Sequence, residues 1–137
     1  EPSATSDSEV RENAQGGRSL FIAAPDDKTL LSAFDRLGVS ADVRFPKVGR
    51  LESGRGELSY LHRKDGKTDI YFIGNSSDDK VETPVELRGT LNPSVWNPYT
   101  GEVEQIEGVE HVNVNGEDYT RIPLTLAPVQ STIIVCN

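Results

Sequence analysis

At 137 residues the chain is long enough for one core of ordinary size and too short for a complete multidomain enzyme. Its formal net charge of -8 argues against nucleic acid or an anionic membrane as partner, since both would repel it. No apolar run approaches the roughly 20 residues that span a bilayer, and the longest, at Ser131–Cys136, is strand-sized, so the chain reads as a soluble domain.

Residues 1–17 hold almost no apolar side chains and are rich in Ser, Asp, Glu, Asn and Gly. Such a segment cannot bury enough surface to offset its ordering entropy, and it reads as a linker or flexible lead-in. After Gly16-Gly17 the run Leu20–Ala24 predicts one strand. Next comes a helix: Leu30, Leu31, Phe34 and Leu37 fall on one helical face. Asp26 or Asp27 can cap its start, and Gly38 sits where a left-handed helix end belongs. Val39–Pro46 reads as extended, and Lys47–Glu57, with three glycines, as a loop.

From Leu58 onward the signals are all β. The expected strands are 58–64, 69–74, 81–88, 94–96, 102–107, 111–115, 118–126 and 131–136. Strands recurring every 8 to 12 residues or so with turn residues between them are what a sandwich produces. Tyr60–Asn75 reads as a hairpin around a five-residue polar turn, Asp65–Asp69, and Asn115-Gly116 is the strongest two-residue hairpin signal. Val81, Thr83, Val85 and Leu87 share one face, with Glu82, Glu86 and Arg88 on the wet one. Ile122, Leu124 and Leu126 share a face opposite Arg121 and Thr125. Pro84 and Pro123 demote their strands towards sheet edges, or to positions whose N–H is unused. The lone Cys136 cannot form an internal disulfide and belongs in the final strand as a small core-facing or edge residue.

The chain thus divides into a lead-in over 1–17, a strand–helix segment over 18–57 and an antiparallel β-sandwich, Ig-like or jelly-roll-like, over 58–137. One helix and a strand or two have no partner for their apolar faces. The strand–helix segment therefore either packs on the sandwich or, as the favoured reading, ends a preceding domain.

Chemistry is sparse. Hydrolysis by a pair of carboxyl groups needs the two placed across the scissile bond, but nearly all the acidic residues lie in turns or on polar strand faces. No catalytic residue is assigned. Neither histidine, His62 or His111, is arranged with a nucleophile. His62 and Arg63 point to opposite faces of their strand. One could reach a sugar in a neighbouring domain. The structural reading makes His62 a satisfied inner residue alongside Leu58 and Tyr60, with Arg63 paired to a carboxylate such as Asp69 across the hairpin. His111 is expected on a solvated face. Trp96 could stack on a sugar, but its strand-end context favours a ring plugging the core, whereas Tyr99, in the turn, is more exposed. Asn75–Asp79 could offer calcium its oxygen ligands, without EF-hand spacing. No cofactor is called for.

His62-Arg63, Gly66, Asp69-Ile-Tyr-Phe72 and Asn75, followed by the Trp96-Asn-Pro-Tyr-Thr-Gly101 turn, give the chain a resemblance to bacterial glycoside hydrolases of family 106, the α-L-rhamnosidases. It covers roughly residues 20–137 and is strongest from Tyr60 to Gly101. The resemblance implies a terminal β-sandwich of a larger, periplasmic or secreted enzyme that degrades plant polysaccharide by an inverting route. In that family the catalytic acids belong to an upstream barrel. The implied partners are that upstream catalytic domain, against which the sandwich packs, and the carbohydrate substrate of the whole enzyme. The alternative is an autonomous carbohydrate-binding module, which needs two or three exposed aromatics on one face. Tyr60, Tyr71, Phe72 and Trp96 are expected mostly in the core, against it. A structural or adhesion sandwich is the third reading, its mark an exposed, unpaired edge strand.

Overall fold

The computed structural model describes residues 9–47 and 57–137, and the glycine-rich part of the expected loop lies outside them. The chain divides between Ala41 and Asp42 into two compact units.

In the first unit, β1 (Val10–Glu12) pairs antiparallel with β2 (Arg18–Leu20). A hairpin therefore begins inside the segment expected to be a lead-in. Its turn is built by Asn13, whose Oδ1 accepts from the N–H groups of Gln15 and Gly17 at 3.0 and 2.8 Å. The strand expected over Leu20–Ala24 ends at Leu20, because β1 offers no partner beyond Val10. The helix α1 (Asp27–Leu37) forms as its signals require. Asp26 caps it through a reciprocal box with Thr29, and Gly38 closes it at φ 69. Its apolar face is not covered: Leu30, Leu31 and Phe34 are exposed, and Ala33 is the buried residue.

The second unit is an antiparallel β-sandwich. One sheet has the order β3-β6-β10-β9, from β3 (Val43–Arg44), β6 (Val81–Arg88), β10 (Glu117–Leu126) and β9 (Glu110–Val114). The other has the order β4-β5-β11-β7-β8, from β4 (Leu58–Asp65), β5 (Thr68–Asn75), β11 (Ser131–Cys136), β7 (Pro93–Trp96) and β8 (Val103–Gln105). The expected strands are all present. The sandwich sheet also takes in β3, upstream of residue 58, where Val43 pairs with Leu87. Two hairpin turns are tight. Asp65 pairs with Thr68, leaving Gly66-Lys67 as a two-residue turn where five residues were expected. Asn115 and Gly116 both take positive φ, 54 and 89, as that turn type demands.

Between the sheets lie Tyr71, Ile73, Val85, Leu87, Ile122 and Ile134, each at most 1% exposed. Cys136 is buried with them as expected.

The prolines meet the second of the two expectations, positions whose N–H is unused, and not the first. β6 and β10 are the central strands of their sheet, not edges, and Pro84 and Pro123 face each other across it. A pair that exchanged N–H bonds could not be built from two prolines, so this is a non-hydrogen-bonded pair whose missing N–H groups would point outward. β3 reaches only Glu86, and the β9 pairing stops at Arg121. Short flanking strands make the two prolines locally edge residues in globally central strands.

Among the described residues no helix is long and apolar enough to cross a membrane.

Candidate functional site

The sandwich carries three side-chain constellations: a histidine–carboxylate corner, a charge row on one outer face and an apolar row on the other.

At the corner, His62 of the edge strand β4 faces inward beside Tyr71, with which it is in register. The two rings stack at 4.1 Å and 15°. Nδ1 lies 2.8 Å from Asp42 Oδ2 and Nε2 lies 2.8 Å from Asp69 Oδ1. Asp42 leads into β3 and Asp69 is in β5, so the imidazole ties one sheet to the other. Lys64 Nζ reaches Asp69 at 3.3 Å and Arg88 reaches Asp42 at 3.6 Å. Burial pushes the Tyr71 phenol well up, and the Asp42 and Asp69 carboxylates add to the shift. With both ring nitrogens engaged by carboxylates, His62 offers no free site to activate a nucleophile. The corner is a clamp. The satisfied inner histidine expected from sequence is found, but Asp69 pairs with Lys64 and His62 rather than with Arg63. Lys64 stands directly opposite Asp69, whereas Arg63 is opposite Ile70 on the outer face.

On the outer face of the four-stranded sheet, register aligns Arg44, Glu86, Arg121 and Glu110 across all four strands. Glu86 was expected to be wet, yet it is 1% exposed. Arg121 Nε and Nη2 donate to its Oε1 at 3.1 and 2.7 Å. Arg44 Nη1 stands 3.2 Å from Oε2 without hydrogen-bond alignment, so charge alone satisfies that oxygen. Arg44 also lies over the Tyr119 ring at 5.4 Å.

The outer face of the five-stranded sheet is different. Leu61, Phe72, Ile133, Trp96 and Val103 are successive register partners across all five strands. Trp96 is 45% exposed, which corrects the expectation of a core plug. The reason is parity: Val95 pairs with the buried Ile134, so its neighbour Trp96 must point outward with Ile133. Its Nε1 donates to Ser94 Oγ at 3.2 Å. Of the four aromatics expected mostly in the core, only Tyr71 is buried there. Phe72 faces outward, and Tyr60, on the edge strand, is also exposed.

The structure therefore brings Arg63, Trp96 and Tyr99 to the outer side of the five-stranded sheet and places His62 on its inner side. Tyr99 Oη is 3.5 Å from Ser131 Oγ on that outer face. His111 is exposed, as expected. The Trp96–Glu102 turn is self-contained: Asn97 Oδ1 accepts from Tyr99 N at 2.9 Å, and Gly101 takes φ 76. In the Asn75–Asp79 turn, Asn75 Nδ2 donates to the carbonyls of Asp79 and Ala127 while its Oδ1 accepts from Ser77. No group of His, Cys, Asp and Glu among the described residues is arranged to hold a metal ion. Asp42, which completes the clamp from 20 residues upstream of His62, had no signal in the sequence.

Residues 10–110 match the alpha-L-rhamnosidase family of glycoside hydrolases, family 106. The chain belongs to that family. It superposes on the structure of a rhamnosidase from Novosphingobium sp. PP1Y with a TM-score of 0.65 and 28% identity, covering 88% of this chain. It is also 29% identical over 80 residues, 58% of its length, to a Formosa agariphila protein provisionally named a beta-glucuronidase. The chain spans only 10% of that rhamnosidase and 7% of the Formosa protein. Among the residues quoted above for the resemblance, His62, Asp69 and Tyr71 make the clamp, Gly66 the hairpin turn and Asn75 the following one.

Proposed function

We propose that this chain is a non-catalytic β-sandwich piece of a longer α-L-rhamnosidase-like glycoside hydrolase, packing against the catalytic part and stabilising it. The observation that carries this reading is the uncovered face of α1. Leu30, Leu31 and Phe34 lie exposed on a unit whose described residues form one helix and a hairpin of two three-residue strands, too little to supply a core of its own. Such an element gains its stability from a neighbour, and a chain one tenth the length of its structural relative leaves ample polypeptide to provide one. The best-shielded carboxylates support the non-catalytic part. Asp69 and Glu86 are spent in ion pairs. Hydrolysis of α-L-rhamnosyl linkages in polysaccharide, location outside the cytoplasm and a place at the end of the parent chain belong to the same proposal. Catalytic residues would then lie elsewhere in the parent.

One observation favours a second reading, an autonomous carbohydrate-binding module: Phe72, Trp96 and Tyr99 are all exposed.

The test compares the longer polypeptide with and without this segment. The segment alone should not turn over an aryl α-L-rhamnoside, and its deletion should lower the unfolding temperature of the remainder. Turnover by the segment alone, abolished by one carboxylate substitution, would overturn the reading.

A further inference from the structure

We propose that the outer face of the five-stranded sheet is a docking surface for the rest of the parent polypeptide, seated on the row Leu61–Phe72–Ile133–Trp96–Val103. The proposal rests on the reading of the chain as part of a longer enzyme, and it assigns a surface distinct from the α1 face.

A sheet face that meets water reads polar at every second residue. The four-stranded sheet carries a row of alternating charges, Arg44–Glu86–Arg121–Glu110, across its outer face. The five-stranded sheet does not. In β5, Tyr71 and Ile73 point into the core while Ile70 and Phe72 point out; in β11, Ile134 and Cys136 point in while Ile133 and Val135 point out. Strands apolar on both sides are strands covered on both sides. The consequence is a row with one large apolar side chain from each strand and no charge, on a chain that is 26% charged. With strands about 4.8 Å apart it runs roughly 19 Å across the sheet, the scale of contiguous apolar patch that marks an interaction site. Its ends are the most open, with Leu61 at 66% and Val103 at 54% exposure.

The chemistry of the row selects protein over glycan as occupant. Sugar platforms present flat rings with free polar edges, whereas Ile133 stands between Phe72 and Trp96, and aliphatic residues close both ends. The indole N–H, the donor a sugar hydroxyl would use, is committed to Ser94. Aliphatic knobs between rings suit the interdigitated packing of a protein interface.

The test uses the longer polypeptide carrying Leu61→Lys and Val103→Lys together. Both side chains are exposed in the sandwich, so its own fold does not need them. The expected result is that a single cooperative unfolding transition splits in two, with at least tenfold faster proteolytic release of the sandwich. Thr125→Lys, an exposed site on the opposite outer face, should leave one transition. If the double variant keeps one transition although deleting the segment destabilises the remainder, the docking face is wrong and the stabilising role stands. If deletion has no effect, both fall. Methyl α-L-rhamnoside binding that Trp96→Ala abolishes, with assembly intact, would make the face a glycan platform and overturn the proposal. Self-association lost in the double variant would overturn it in favour of a contact between copies.

Discussion

Replacing His62 by alanine removes a side chain that bonds to both sheets at one corner of the sandwich. Two contacts of 2.8 Å are lost, to Asp42 and Asp69, together with the stack on Tyr71. Removing a hydrogen bond to a charged group costs about 1.5–3 kcal/mol. The partners are not left bare, since Lys64 still neighbours Asp69 and Arg88 still neighbours Asp42. The imidazole is 21% exposed and Asp42 26%, so water recovers part of the loss. The sum is about 2–4 kcal/mol. For a unit of this size each kcal/mol moves the thermal midpoint by roughly 4–8 °C, so a fall of about 10 °C or more is expected. Urea unfolding of the chain, followed by tyrosine and tryptophan fluorescence, measures the free energy directly. A double-mutant cycle with Asp42→Ala separates the clamp from general loss of packing, with an expected coupling of about 1–2 kcal/mol. A loss below about 1 kcal/mol, or coupling within about 0.3 kcal/mol of zero, would refute the claim that this histidine joins the sheets.

Trp96→Ala should cost less than about 1 kcal/mol in the chain by itself, because the ring is half exposed and leaves no cavity; Ile134→Ala, at 0% exposure, should cost about 2–5 kcal/mol in the same denaturation assay. In the charge row, Arg121→Met should destabilise more than Arg44→Met, since Arg121 donates two hydrogen bonds to the buried Glu86 and Arg44 offers only an unaligned contact. Burial, with Asp69 nearby, pushes the Cys136 thiol from 9.0 up to about 12. The unfolded thiol ionises first, so this contribution to stability is complete below about pH 9 and is lost as pH rises towards 12. Denaturation midpoints measured across that range should fall less steeply in Cys136→Ala.

How far the sequence reaches is set by what period-two patterning encodes. Alternation in Val81–Arg88 and Ile122–Leu126 names the residues that share a face, and the turn chemistry of Asn115-Gly116 and Gly38 fixes where elements end. Both signals are local, and both held. Which face turns inward is another matter wherever a strand is short or apolar on both sides. In β7, Trp96 carries far more apolar surface than Val95, yet pairing with Ile134 takes Val95 inside. Phe72 and Ile73 pose the same ambiguity, and only the register against β11 resolves it. Glu86 fails for a related reason. Its burial comes from Arg44 and Arg121, which lie on strands distant in sequence, so nothing near Glu86 in the chain signals it. Asp42 joins His62 across sheets in the same non-local way. The misread residues are therefore informative as a group. Phe72 and Trp96 read as core because they are apolar enough to be buried, and the face they occupy is the one the sandwich itself leaves uncovered. A sequence shaped only for this chain's own core would have placed polar residues there. That it carries Leu61, Phe72, Ile133, Trp96 and Val103 instead is the pattern the proposed docking face accounts for.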